Sequence, residues 1–205
     1  MLRIRPLLGT ALGVLLGVVQ LYPAAMADGK QLLNNTCGAC HKQEDGSLSR
    51  IIGQRKTPEA WQMTIFRMRH LHGLQIDVET QRQLVQYLSD TQGLAPEETQ
   101  DLRYAFDRSP AAQELKFDKP MMEMCGRCHT AARVALQRRS PEEWRTHIDF
   151  HLGQFPTTEY QALGRDREWY KIAVEEMVPL LAKQYPLETE AWTQWQAADK
   201  TGCDR

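Results

Sequence analysis

The sequence of 205 residues has only five cysteines, too few to staple a chain of this size into a disulfide scaffold. It has no excess of charge of either sign, with 25 Lys and Arg against 26 Asp and Glu. Without a basic field to collect phosphates, the balance argues against a general nucleic-acid binder. Aromatic residues are 8%, hydrophobic residues 42% and charged residues 25%, which excludes a disordered or collagen-like chain. Length allows one or two domains. Beyond the amino terminus, no run is apolar enough to span a bilayer.

The one long apolar run, from Leu7 to Tyr22, follows Arg3 and Arg5 and precedes Ala25-Met26-Ala27. A basic start, a short apolar stretch and a small-x-small site read as a secretory signal peptide cut after Ala27, hence a periplasmic protein with no membrane span in its mature form. Loss of Arg3 and Arg5 would take the net charge from −1 to −3.

What is present is a repeated pentapeptide. CGACH occupies Cys37 to His41 and CGRCH occupies Cys125 to His129, with starts 88 residues apart. Thr57-Pro58-Glu59-Ala60-Trp61 is echoed by Ser140-Pro141-Glu142-Glu143-Trp144. Each echo reads as a capped helix start with Pro and Glu in its first turn. Each copy then ends in a helical pattern, at Val78 to Leu88 and at Trp169 to Tyr185, where Pro179 is expected to kink or interrupt the helix. Strand alternation is scarce. The expected fold is mainly α, with two tandem cytochrome c-like haem domains packed together. The expected divisions are signal peptide 1–27, first domain 28–95, second domain 96–190 and polar tail 191–205, the last without a legible fold.

In CxxCH, each Cys can form a thioether with one haem vinyl group while the adjacent His reaches the iron. A chance match is expected about 0.003 times in a chain of this composition, and two matches far more rarely. Two covalently bound haem c groups are therefore expected, on Cys37 and Cys40 and on Cys125 and Cys128, with His41 and His129 as proximal iron ligands. Zinc is disfavoured because 84 residues separate Cys40 from Cys125. A thioredoxin-like pair lacks a βαβ context, and two disulfides would leave the paired histidines unexplained.

The distal ligands are open to several candidates. In the first copy they are Met68 and His72, four residues apart. Met68 aligns with His151 when Trp61 is set on Trp144, whereas His72 lies just before the next helix. His70 is expected to be exposed or bonded to a haem propionate. In the second copy His151 opens the irregular-looking stretch His-Leu-Gly-Gln-Phe-Pro and is favoured, with His147 read as a surface residue. Met121, Met122 and Met124 are expected to pack against the second motif, and Met177, Trp61 and Trp144 to be core. Arg55-Lys56 and Arg138-Arg139 could face propionates or a partner, but a solvated face is the expectation. Cys203 is left over.

The stretches LSRIIGQRKTPEAWQMTIFRM, LVQYLSDTQGLAPEE, ALQRRSPEEWR and FHLGQFPTTEYQALGRDREW resemble the dihaem domain of the quinohemoprotein amine dehydrogenase alpha subunit, from about Gln31 to Trp192. The resemblance implies an electron-transfer subunit of a periplasmic amine dehydrogenase. A gamma subunit would carry a quinone made from its own Trp and Cys, a beta subunit would form a propeller, and electrons would leave to a soluble periplasmic acceptor. It carries over Cys37, Cys40, His41, Cys125, Cys128 and His129 as haem residues, with Met68, His72 and His151 in or beside matching stretches. Alpha subunits of that family continue into β-sandwich domains, whereas this sequence stops at Arg205. No catalytic site of its own is legible. The competing expectations are a free-standing periplasmic dihaem cytochrome and, further off, a dihaem peroxidase.

Overall fold

A computed structural model of the chain describes residues 21–43, 45–100, 102, 117–159 and 168–198. Most of the expected signal segment, part of the expected domain boundary, and Cys203 lie outside the described residues. The described chain is mainly helical.

Helix α1 (Leu21–His41) carries the first pentapeptide at its carboxyl end. A short strand β1 (Gln54–Lys56) leads into α2 (Pro58–Leu71), which is followed by α3 (Val78–Gln92) and the single turn α4 (Pro96–Thr99). The second half repeats the plan with α5 (Lys119–Met124), α6 (Ala132–Ala135), β2 (Gln137–Arg139) and α7 (Pro141–Gln154). A 3-10 turn follows at Pro156–Thr158. The chain closes with α8 (Trp169–Ile172), α9 (Val178–Gln184) and α10 (Glu190–Ala197). Among the described residues no helix is long and apolar enough to cross a membrane.

Helices α2 and α7 are one element made twice, and moving the first along by 83 residues gives the second. The reason is local. Thr57 Oγ1 accepts from the Ala60 N–H at 3.3 Å, and Ser140 Oγ accepts from the Glu143 N–H at 3.1 Å. Proline then occupies the first helical position, where its missing N–H has no role. One turn in, Trp61 and Trp144 are each 1% exposed. Each indole N–H ends on a carbonyl near the close of a following helix, Trp61 on Gln92 at 2.9 Å and Trp144 on Tyr185 at 3.3 Å. Each Trp thus ties its own helix to a second one in the same repeat.

Two large apolar clusters result among the described residues, beside a small one of Ala132 and Leu136. One joins Leu33, Leu48, Ile51, Trp61, Ile65, Leu84 and Leu88. The other joins Met121, Met124, Ala131, Val134, Trp144, Ile148, Trp169, Ala173, Met177, Val178 and Leu181. Met121, Met124 and Met177 are therefore core, as their neighbours in sequence suggest.

Pro179 does not stop its helix. Residues Ala173–Met177 form a wider π turn between α8 and α9, so the helical run passes through the proline whose N–H is missing. The segment past Tyr185 also folds. Thr189 Oγ1 accepts from the Trp192 N–H at 3.1 Å and opens α10, which buries Trp192.

The largest departure from expectation concerns the basic pairs. Arg55, Lys56, Arg138 and Arg139 are all buried. Strands β1 and β2 pair antiparallel, with Gln54 opposite Arg139, Arg55 opposite Arg138 and Lys56 opposite Gln137. These are the same positions of the two repeats, so one repeat pairs with the other through a self-complementary contact. The ladder is short, and its arginines are neutralised from outside it. Glu98 accepts from both Arg55 terminal nitrogens at 2.9 Å and forms an ion pair with Arg138 Nε at 3.1 Å. Sequence periodicity marks these residues as polar, but it carries no sign of the carboxylate that lets them go inside.

Candidate functional site

The first pentapeptide ends α1. Cys37 is half-buried, Cys40 is exposed and His41 is half-buried. His41 is held in place through its own carbonyl, which accepts from the Ser49 N–H at 2.7 Å and the Ser49 hydroxyl at 3.0 Å. Burial lowers the His41 pKa from the ordinary range against a backbone hydrogen bond at Ser49, and the charges of Arg50 and His72 lower it further. His72 therefore lies within electrostatic reach of His41. His72 caps α2, and its N–H donates to the Met68 carbonyl at 3.2 Å. Gly73 follows with φ 73°, a left-handed turn that sends the Leu74 N–H back to the same carbonyl at 3.0 Å. Met68 is half-buried, one turn earlier on α2. His70 is exposed and lies against Phe66, with ring centroids 4.0 Å apart.

The second pentapeptide lies in turns between α5 and α6. Its His129 faces His151, with ring centroids 6.4 Å apart and planes inclined at 49°. The Nδ1 atom of each ring is already engaged. His129 Nδ1 is 2.9 Å from the Thr130 carbonyl, and His151 Nδ1 is 2.8 Å from the His147 carbonyl. An Nδ1–H donated to a carbonyl leaves the lone pair on Nε2, the tautomer and orientation that metal-ligating histidines use. A ligating nitrogen sits about 2 Å from its metal, and the ring centre lies about 1 Å beyond it. Two imidazoles on opposite sides of one metal therefore have centroids about 6 Å apart. The observed pair matches that spacing.

His151 stands on the last turn of α7, not in an irregular stretch as its sequence context suggests. Gly153 is tolerated that close to a helix end, and Pro156 sets the stop by restricting Phe155 before it. His147 is not a surface residue either. It is half-buried, with its ring edge-on to His151 at 4.6 Å and beside Trp144 at 6.3 Å. Burial holds His147 well below the ordinary histidine range, and Arg139, His151, Lys56 and Arg67 act in the same direction. The His151 pKa is lowered first by burial and then by His129, Arg139 and Arg67, against a hydrogen bond at His147.

None of the four motif cysteines is in a disulfide. Burial pushes the Cys37 thiol up to about 11, with Cys40 adding to it, and pushes Cys125 up to about 11. Both shifts run opposite to the lowered values of a redox-active CxxC pair. Among the described residues no three His, Cys, Asp or Glu side chains converge as a zinc or other all-protein metal site requires. A haem iron brings four ring nitrogens of its own and needs only a pair of protein ligands. A pair is what the second site presents.

Haem is the group these residues fit. Residues 27–192 match the family model for the haem-binding part of the quinohemoprotein amine dehydrogenase A alpha subunit. The chain belongs to this family. It is thus a haem-binding domain of that alpha-subunit type, and other members of its kind are subunits of an amine dehydrogenase. No curated protein matches the chain.

Four residues with roles near these sites were not singled out as such by sequence reasoning. Glu98 holds the two central arginines. Arg67 on α2 lies over the Phe150 ring at 6.0 Å, beside the second site. Arg127, inside the second pentapeptide, has a buried Nε with no hydrogen-bond partner. Glu143 pairs with Arg139 at 3.5 Å and Arg50 at 3.3 Å. Only Arg127 had a signal available, its place between two haem-type cysteines.

Proposed function

We propose that the chain is a two-haem electron carrier of the periplasm, organised as two cytochrome c-like domains, and that it relays electrons from a quinone-bearing partner subunit to a soluble acceptor. Cys37 and Cys40 anchor one haem and Cys125 and Cys128 the other, through thioethers, with His41 and His129 as the proximal ligands. Each haem iron supplies a site that takes up and releases one electron without bond making.

The single observation behind the reading is the His129–His151 pair, two rings 6.4 Å apart, each with Nδ1 occupied and Nε2 available. Such a pair would hold an iron from both sides, which suits electron transfer and would leave no open position for peroxide at that site. In the first half Met68 occupies on α2 the position that His151 occupies on α7, and we propose it as the distal ligand. The electrostatic reach of His72 to His41 favours a second reading in which His72 takes that place.

Partnership with beta and gamma subunits follows from what the family name implies. The chain is to be purified gently from its native periplasm, weighed intact, and exposed to a primary amine while the visible haem bands are watched. Two haem masses and reduction by amine with two co-purifying chains support the full reading. Two haem masses with reduction by dithionite alone and no partner would leave a free-standing cytochrome. Absence of haem at either pentapeptide would overturn the proposal.

A further inference from the structure

Among the described residues, the interior between the repeats contains more positive than negative charge. Arg55 and Arg138 share Glu98, while Arg139 and Arg50 share Glu143. Lys56 makes no such ion pair among the described residues, although the charge of Glu143, already shared by Arg139 and Arg50, reaches it from further off. Lys56 is 4% exposed, lies 4.8 Å over the Trp61 ring, and its Nζ donates to a single neutral group, Thr64 Oγ1, at 3.0 Å. Arg67 Nη2 donates to the same hydroxyl at 3.4 Å. Among the described residues, neither cation has a carboxylate within 4.0 Å. Two cations converging on one hydroxyl, one of them wholly desolvated, make an arrangement that an anion beside it would stabilise.

The direction of that anion can be read from the neighbours. Arg67 belongs to the first repeat, yet its guanidinium lies 6.0 Å over Phe150 of the second. The Phe150 ring is in turn 6.1 Å from the His151 ring, which faces His129. A haem carries two propionate carboxylates on one edge. We infer that Lys56 and Arg67 of the first repeat are the cationic partners of a propionate of the second haem, so that the first repeat completes the second haem site. The inference rests on the two-haem reading above. It assigns Lys56 and Arg67 as positioning residues that act on the haem edge and not on the iron.

The test uses the holoprotein in wild-type, K56M, K56R, R67M and H151M forms. Intact mass counts the haems, and a redox titration of the visible bands resolves two one-electron waves. Replacing His by Met as axial ligand raises the potential, so H151M marks the wave of the second haem. Removing a cation beside a haem favours the ferric form. K56M is therefore expected to lower that wave by a tenfold change in the one-electron equilibrium, about 59 mV. R67M is expected to move it in the same direction, and K56R to return it to within threefold of wild type. K56M should also lower the melting temperature of the holoprotein, because it strands a carboxylate. If no anion faces Lys56, removing an unpaired buried charge raises the melting temperature instead. An unmoved second wave with a stabilised K56M overturns the inference while two haem masses keep the reading beneath it. A shift confined to the other wave overturns the assignment to the second haem. Should K56M not fold, R67M, at a half-buried position, decides on the same wave. Loss of the second haem mass in wild type would defeat the underlying reading itself.

Discussion

Glu98 is the residue whose replacement tests the architecture most directly. Its carboxylate, 4% exposed, receives both terminal nitrogens of Arg55, the Nε of Arg138, the Ala95 N–H at 2.8 Å and the Thr189 hydroxyl at 2.9 Å. Burial by itself would raise its pKa, but the Arg55 and Ala95 hydrogen bonds and the charges of Arg138 and Arg55 outweigh burial and hold it below the ordinary value. Glu98→Gln keeps the volume, removes the charge, and turns a donor toward guanidiniums that are themselves donors. Removing one partner of a buried ion pair costs about 3–5 kcal/mol. For a chain of this size that lowers the melting midpoint by about 6–20 °C. The assay is thermal and urea unfolding of the holoprotein by far-ultraviolet circular dichroism, beside Glu79→Gln. Glu79 forms a solvent-exposed pair with Arg82 and accepts an exposed hydrogen bond from Gln83 at 2.9 Å, so its variant should be indistinguishable from wild type. The pH dependence has a definite sign. A depressed carboxylate contributes its stability in full above about pH 4.5, its ordinary value, and loses it as pH falls through the folded value. Wild type should therefore lose more stability on acidification than the Gln variant. A loss below about 1 kcal/mol, or parallel acid limbs, would refute the view that this carboxylate holds the two repeats together.

Three further outcomes are expected. Ser140→Ala removes the cap of α7 and should cost about 1 kcal/mol in urea unfolding, and Thr57→Ala should cost a similar amount at α2. Trp144→Ala should cost about 3–5 kcal/mol, because it empties the centre of the second apolar cluster; a loss under 1 kcal/mol would contradict its place there. His151→Ala should leave two haem masses but produce a high-spin ferric signal from one haem by electron paramagnetic resonance, whereas His147→Ala should leave both haems low-spin. A high-spin signal from the His147 variant alone would reverse the two assignments.

Much of the local structure was readable from short-range chemistry. Thr57-Pro58 and Ser140-Pro141 mark helix starts because a hydroxyl oxygen and a missing N–H both act within one turn. The core roles of Trp61, Trp144 and Met177 follow from apolar spacing on helices. Local pattern misleads where a residue's environment comes from a distant element. His147 and the pairs Arg55-Lys56 and Arg138-Arg139 carry polar side chains, for which a solvated face is the ordinary expectation. They are buried because Glu98, Glu143, Trp61, Trp144 and the opposite repeat surround them. Gly153 and Pro156 look like breakers around His151, yet the helix persists to Gln154.

The sequence alone determined the two pentapeptides, the duplicated helix start and the family, since each depends on residues close together in the chain. Tertiary structure decided how the repeats meet, through an antiparallel pairing of equivalent strands whose buried arginines share Glu98. It also decided that His151, and not His147, faces His129, because the two histidines stand one turn apart on α7 and only one of their rings is turned toward the second pentapeptide across the fold.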